Sequence, residues 1–359
     1  MMFSFLAYAM YLNRPTNTFN ILALSMFFIL LLQPMVLFQV GFQMSYAAVF
    51  AIVWIYPKLQ QFWYPENWLV RKVWQLLSVS CAAQLGVLPI SLFYFHQFPS
   101  LFFISNLIIV PFLGIILGVG ILVLVLAFFD SLPDILAIGY NHLIYGMNTI
   151  IGWVAEQEGF VFRDISFDWL QVLLAYGFVT FSVSALFKPT FKKICLLLIS
   201  VLSFQTWIIY KQWELEKTET FILGHQTANT LFLHQKGNNL TILSSVNTDF
   251  KRITNNFKIQ ERIDTIVQRK LQNDYTIGNQ QLYIMDSLAI IPSHKKTDYL
   301  LLTQSPKINL ERLLDYLQPK MVLMDGSNYK SYINRWKTTC LKKEIPFHYT
   351  GEKGAFYFK

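Results

Sequence analysis

The hydrophobic pattern changes character once along the chain. Long apolar runs occupy residues 19–38, 42–57, 73–95, 107–129, 133–154, 169–187 and 194–210, and shorter alternating runs follow. A helix needs about 18 consecutive apolar residues to cross hydrocarbon, and the run 107–129 carries no charge at all. The pattern predicts a polytopic α-helical membrane domain of about six to seven spans over residues 1–213. The run 133–154 holds Asn141, His142, Asn148 and glycines, so it reads as either a span or an interfacial helix. A short apolar start, 3–12, is cut by the turn-like NRPTN, and residues 58–72 mix aromatics with charge as an interfacial or loop segment does.

From residue 214 the pattern is that of a small α/β domain. TFIL, TLFLHQ, LTILSS and DTIVQ predict short strands with turn residues between them. The apolar strand DYLLLTQ precedes the helical pattern INLERLLDYL. The strand MVLMDGS, a helix near 328–342 and the strands PFHYT and AFYF complete the expected layered order.

Charge adds an orientation. Residues 1–213 hold 9 Lys+Arg against 7 Asp+Glu, and residues 214–359 hold 20 against 14, so most of the net charge of +8 lies in the second part. Lysines and arginines of short loops favour the cytoplasm. KPTFKK, 188–193, should therefore be cytoplasmic, and the acidic loop 156–168 should face outward. One more crossing predicts an extracytoplasmic 214–359. Its basic residues are dispersed, so a solvated basic surface is a better reading than a nucleic-acid surface, although Tyr275, Tyr283, Tyr299 and Tyr329 could stack bases. Cys81, Cys195 and Cys340 have neither disulfide nor zinc spacing.

The least expected stretch is HQFPSLFFISNLIIVP, 96–111, which places His96, Gln97, Asn106, Pro99 and Pro111 between apolar runs. A freed backbone group in hydrocarbon needs a partner, so this stretch is either a re-entrant or discontinuous helix lining a path or a short loop in water. For Gln43, Ser45, Gln84 and Asn106, each taken alone, an ordinary helix–helix hydrogen-bonding role is the better reading. The span cores contain no Asp, Glu, Lys or Arg, which argues against an enzyme acting on lipid or cell-wall precursors. A small-solute transporter would show paired broken helices in two related halves, and none is evident.

The ordered elements QPMVLFQVGFQMSYAAVFAI and QLGVLPISLFYFHQFPSLFFISNLIIVPFLG resemble the competence-type DNA-uptake channel family, of the ComEC type. Pro34, Gly41, Phe42, Gln43, Ser45, Gln84, Pro89, His96, Phe98, Asn106 and Pro111 match its motifs in order and spacing, and Gln97 lies among them. Pro99 departs from the family turn, which usually has serine there. The resemblance implies a bacterial inner-membrane channel that passes a single DNA strand. Its implied partners are other competence proteins and a separate nuclease, within the lipid bilayer and with possible homo-oligomers. It also implies a fragment, because family members usually begin with further spans and an OB-like domain.

The family often ends in a metallo-β-lactamase-like domain, which 214–359 resembles in fold order. There the resemblance puts Gln304, Pro306, Ile308 and Asn309 of TQSPKIN where His, His, Asp and His would bind metal. A hydrolytic zinc pair needs imidazoles and carboxylates, so the resemblance implies no enzyme, no metal and no cofactor here. His225, His234, His294 and His348 stand alone in sequence, and Asp325 in MDGSN is a weak catalytic candidate.

Overall fold

The structure is a computed structural model that describes residues 17–244, 251–292 and 297–358. The expectations for the apolar start 3–12 and for His294 lie outside these residues. The chain forms two compact units, Met1–Trp207 and Ile208–Lys359, each taken by itself below.

The first unit is helical: α1 (Thr18–Leu32), α2 (Val40–Phe62), α3 (Trp68–Phe95), α4 (Phe102–Phe128), α5 (Asp134–Glu156), α6 (Trp169–Phe187) and the start of α7 (Phe191–Glu216). Five of these, α2, α3, α4, α6 and α7, are long and apolar enough to cross a membrane, whereas α1 is shorter and α5 is more polar. The chain is a multi-pass membrane protein. The run 19–38 is not one span. Pro34 has no N–H to continue α1, and residues Pro34–Phe38 instead form a separate 3-10 turn. Pro57, Pro89 and Pro111 lie inside helices, so α2 continues beyond 57 and α4 begins at 102, well before 107.

The helices pack antiparallel. α2 and α3 make the most extensive pair, because Gly86 lets α3 approach so closely that a Cβ there would meet Ala47 O and Ala51 Cβ. Tyr176 of α6 donates its hydroxyl to Gly86 O at 2.8 Å. Across α1 and α2, the buried Ser25 and Tyr46 hydroxyls lie 2.9 Å apart. A capping box between Asp168 and Gln171 starts α6, and Trp207 Nε1 donates to Asp168 Oδ2 at 2.9 Å.

This packing sorts the connections to two ends. One end collects Lys58, Arg71, Lys72, Lys188, Lys192 and Lys193 against Glu66, Asp130 and Asp134, and the other collects Arg163 against Glu156, Asp164 and Asp168. At the cationic end, Arg71 holds the 63–67 connection. Its guanidinium donates to Pro65 O (3.1 Å), Glu66 O (2.9 Å) and the Tyr64 hydroxyl (3.1 Å), beside the exposed rings of Phe62, Trp63 and Trp68. Such aromatic rings suit the membrane–water interface.

The second unit has four layers, α, β, β and α. One sheet has the order β12-β3-β4-β5-β6, with β3 (Glu219–Gly224), β4 (Leu231–Lys236), β5 (Asn239–Ser244), β6 (Thr265–Lys270) and β12 (Phe356–Phe358). The other has the order β11-β10-β9-β8-β7, with β7 (Asp274–Ile277), β8 (Gln280–Met285), β9 (Tyr299–Leu302), β10 (Met321–Met324) and β11 (Phe347–Tyr349). Side chains alternate across each strand. Phe232, Leu243, Leu282, Ile284, Leu301 and Leu323 meet between the sheets. Leu231, Leu233 and Ile242 face Phe257 of α8 (Lys251–Gln260), while Met285, Leu300, Leu302 and Met324 face α9 (Leu310–Leu317) and α10 (Lys330–Lys342). Helix α9 shows why the sequence folds this way. Leu310, Leu313, Leu314 and Leu317 form one buried stripe at i, i+3, i+4 and i+7, and the Asn309 side chain caps the N-terminus.

Candidate functional site

The motif residues fall in three places within the half of the helical unit towards its acidic end. The first is the break before α2. Pro34 opens the 3-10 turn, and Gln43 Nε2 reaches back to Leu37 O at 2.9 Å, satisfying a carbonyl that the break exposes. Phe42 lies 4.6 Å from the Tyr46 ring, whereas Gly41 and Ser45 are exposed. The second place is α3, where Gln84 is half-buried and Pro89 is buried. Pro89 removes the hydrogen bond to Leu85 O, and the next carbonyl, Gly86 O, is the one that Tyr176 engages.

The third place is the turn after α3. His96 takes a left-handed conformation (φ 54) and ends the helix, its N–H donating to Leu92 O at 3.1 Å. Its Nδ1 lies 3.1 Å from Ile165 O, and Ile165 N donates back to His96 O at 2.9 Å. Phe98 and Pro99 form β1, which pairs antiparallel with β2 (Val161–Phe162), and Ser100 donates N–H and Oγ to Phe160 O at 3.0 and 2.7 Å. The interruption is thus confined to residues 96–101. Pro111 does not break the helix, because α4 runs through it with Asn106 already one turn inside. Gln97 is exposed and Asn106 half-buried. Among the described residues, no hydrogen bond engages the side chains of Gln84, Gln97 or Asn106, and none joins Gln43, Gln84 and Asn106 to one another.

At the strand ends of the second unit the structure builds a polar cluster that sequence reasoning reached only through Asp325. Asp325 is fully buried and accepts from Thr230 Oγ1 (2.5 Å), Ser327 Oγ (2.5 Å), Ser327 N (3.1 Å) and Asn328 Nδ2 (2.9 Å). Asn328 ties β9 to β10. Its Nδ2 donates to Leu302 O at 2.7 Å, and its Oδ1 accepts from Ser305 N at 2.7 Å. Burial pushes the Asp325 carboxyl up to about 6, although its hydroxyl and backbone donors pull the other way.

The positions where the resemblance would put metal ligands do other work. Gln304 and Ser305 adopt positive φ (57 and 54) as the chain leaves β9, and Gln304 N donates to Ser327 Oγ at 2.7 Å. Ile308 packs on the core, and Asn309 caps α9. Among the described residues no three His, Cys, Asp or Glu side chains converge as a metal site would require. An amide pair, a proline and an isoleucine do not fit a hydrolytic zinc centre. His225 Nδ1 lies 3.1 Å from Thr350 Oγ1, His234 stacks on Phe221 and donates to Glu219 Oε1 at 2.9 Å, and His348 donates to Gly354 O at 2.9 Å. Tyr275, Tyr283 and Tyr299 pack against the core, so of the four tyrosines considered for base stacking only Tyr329 is well exposed.

Comparison with known proteins bears out the family resemblance. The sequence matches the family described as Competence protein over residues 1–189, and that described as ComEC C-terminal domain over residues 221–359. ComE operon protein 3 of Bacillus subtilis (strain 168) is 36% identical over 141 residues, which is 39% of this chain and 17% of that protein. The chain therefore aligns with about a sixth of that relative's length. No solved structure matches. With the family matched across both units, and over more than half of the chain by its helical part alone, this protein belongs to the ComEC-type competence protein family.

Proposed function

We propose that the helical unit forms part of a path by which a single DNA strand crosses the bacterial inner membrane during natural transformation. The observation that carries this reading is a break at residues 96–101 beside two amides, Gln97 and Asn106, that no described group engages. Neutral donors and the positive N-terminal end of α4 attract a transiting polyanion without holding its phosphates as fixed lysines would. Asn106→Leu should lower uptake of labelled DNA while leaving membrane abundance unchanged. Normal uptake in Asn106→Leu and in Gln97→Leu would refute the reading.

We place the cationic end of the helical unit in the cytoplasm, since the excess of lysine and arginine gathers there. Helix α7 then leads outward, and the α/β unit is extracytoplasmic. Its sandwich stands for a metallo-β-lactamase-like domain that has lost its ligands, so degradation of the second strand falls to another protein. Full-length protein with zinc or manganese should leave DNA intact. Metal-dependent cleavage abolished by Asp325→Ala would overturn that part.

A further inference from the structure

A cavity of about 380 Å³ in the helical unit lies between α1, α2, α3 and α6. Its walls are almost wholly apolar, with Phe50, Ala51, Trp54, Leu85 and Val179 among them. Its two hydroxyls come from Tyr176, already given to Gly86 O, and from Thr180. Its size falls within the range of about 300–1,000 Å³ typical of ligand sites. In hydrocarbon such a space takes an apolar occupant.

The rim supplies a charge. One helical turn beyond Trp54, the Lys58 ammonium sits 3.8 Å from the centre of the Trp54 ring, so the cation stands beside a residue that walls the cavity. Lys193, at the start of α7, lies near enough to repel it, and Lys193 Nζ itself donates to Lys188 O at 3.1 Å. None of the ion pairs among the described residues involves Lys58 or Lys193. Two half-buried ammoniums that feel one another's charge and have no carboxylate partner favour an anion beside them. Lys58 and Lys193 both belong to the cationic end, level with the interfacial rings of Phe62, Trp63 and Trp68.

We propose that this cavity and its two lysines hold one anionic phospholipid, with an acyl chain against Trp54 and Val179 and the phosphate between Lys58 and Lys193. A nucleic-acid strand is the other polyanion available, but it would need donors along the groove, and the groove offers apolar walls. The lipid site does not depend on the strand path proposed above, which runs through other residues.

The test is native mass spectrometry of the full chain in micelles, titrated separately with phosphatidylglycerol, phosphatidylcholine, inorganic phosphate and an oligothymidylate. One phosphatidylglycerol should be retained in preference to phosphatidylcholine. Removing each lysine charge is expected to weaken retention about five-fold, and Lys58→Gln with Lys193→Gln together about 25-fold. Lys58→Arg should keep it. Thr180→Trp should fill the cavity and abolish retention with the charges intact, and the lysine variants carry the test alone if that protein does not fold. Equal retention of the two lipids, or no loss in the double lysine variant, would overturn the proposal. Displacement of phosphatidylglycerol by the oligonucleotide, but not by phosphate, would assign the surface to nucleic acid instead.

Discussion

Replacing Asp325 by asparagine should flatten the pH dependence of stability in the α/β unit. Burial raises the Asp325 carboxyl from an ordinary value near 4 to about 6, so the folded state holds its proton more tightly than the unfolded chain does. For an acid whose folded pKa is raised, stability is greatest at low pH. It falls as pH climbs from about 4 to about 6 and stays low above that. A rise of about two units corresponds to about 3 kcal/mol over the full range, of which about 2 kcal/mol lies between pH 4 and pH 8. Asparagine keeps an oxygen for Ser327 and Asn328 and carries no charge to desolvate, so that slope should vanish. Cys340 is fully buried against Trp336 and Ile333 in the core beneath β10, which makes its thiol a reporter of opening. The assay is Cys340 labelling of the full chain in micelles, with Cys81→Ser and Cys195→Ser, normalised at each pH to a free-thiol peptide. Opening should increase some 30-fold more between pH 4 and pH 8 with Asp325 than with asparagine. Identical slopes would show that the carboxyl does not carry its burial cost in the folded protein.

Gly86→Leu should separate α2 from α3, because its side chain would drive into Ala47 O and Ala51. A loss of about 1–3 kcal/mol, read as lower resistance to denaturant in micelles, is expected from overpacking. Tyr176→Phe removes only the hydroxyl that serves Gly86 O, so its cost should be about 0.6–1 kcal/mol by the same measurement. Single cysteines at positions 192 and 238, in the background lacking the native three, should differ towards an impermeant reagent. Labelling of 238 alone from outside is expected, and the reverse pattern would invert the proposed topology. Ser100→Ala together with Ile165→Pro should loosen the hydrogen bonds between 96–100 and 160–165, seen as faster amide exchange there while α2 and α3 stay protected.

Much of this architecture is legible from residue periodicity. Helix α6 begins and ends at Trp169 and Phe187, where the apolar run does, because Asp168 caps one end and Lys188 follows the other. Strands β3, β4, β5, β9 and β10 coincide with their alternating or continuous apolar runs. The prolines misled in both directions. Pro34 divides an apolar run of span length, while Pro111 sits inside α4 without ending it, since hydropathy registers neither a freed carbonyl nor what neighbouring helices can supply. The hairpin β7–β8 went unread, although Gly278-Asn279 between YTI and QQLYIM is a turn signal and Gly278 has φ 57. Thr230 and Asn328 were invisible as partners of Asp325, and Ser305 as a partner of Asn328. Their cluster joins strand ends from both sheets, and only tertiary structure brings residues 95 positions apart to hydrogen-bond distance.

The short pairing of Phe98–Pro99 with Val161–Phe162 has a mechanical consequence. Residues 102–156 form an α4–α5 hairpin whose two ends are clasped together, since the chain enters α4 just after β1 and comes back through β2. The α4–α5 hairpin is therefore an excursion with a fixed base. Its length can change by insertion or deletion at the far turn, near Asp130 and Ser131, without shifting α6 along α3. The same clasp makes the hairpin a lever whose fulcrum is His96–Ile165. A pull at the exposed tip, where Phe128, Phe129 and Ile135 stand out, would be resisted by the backbone hydrogen bonds of that clasp together with the packing of α4 on α3.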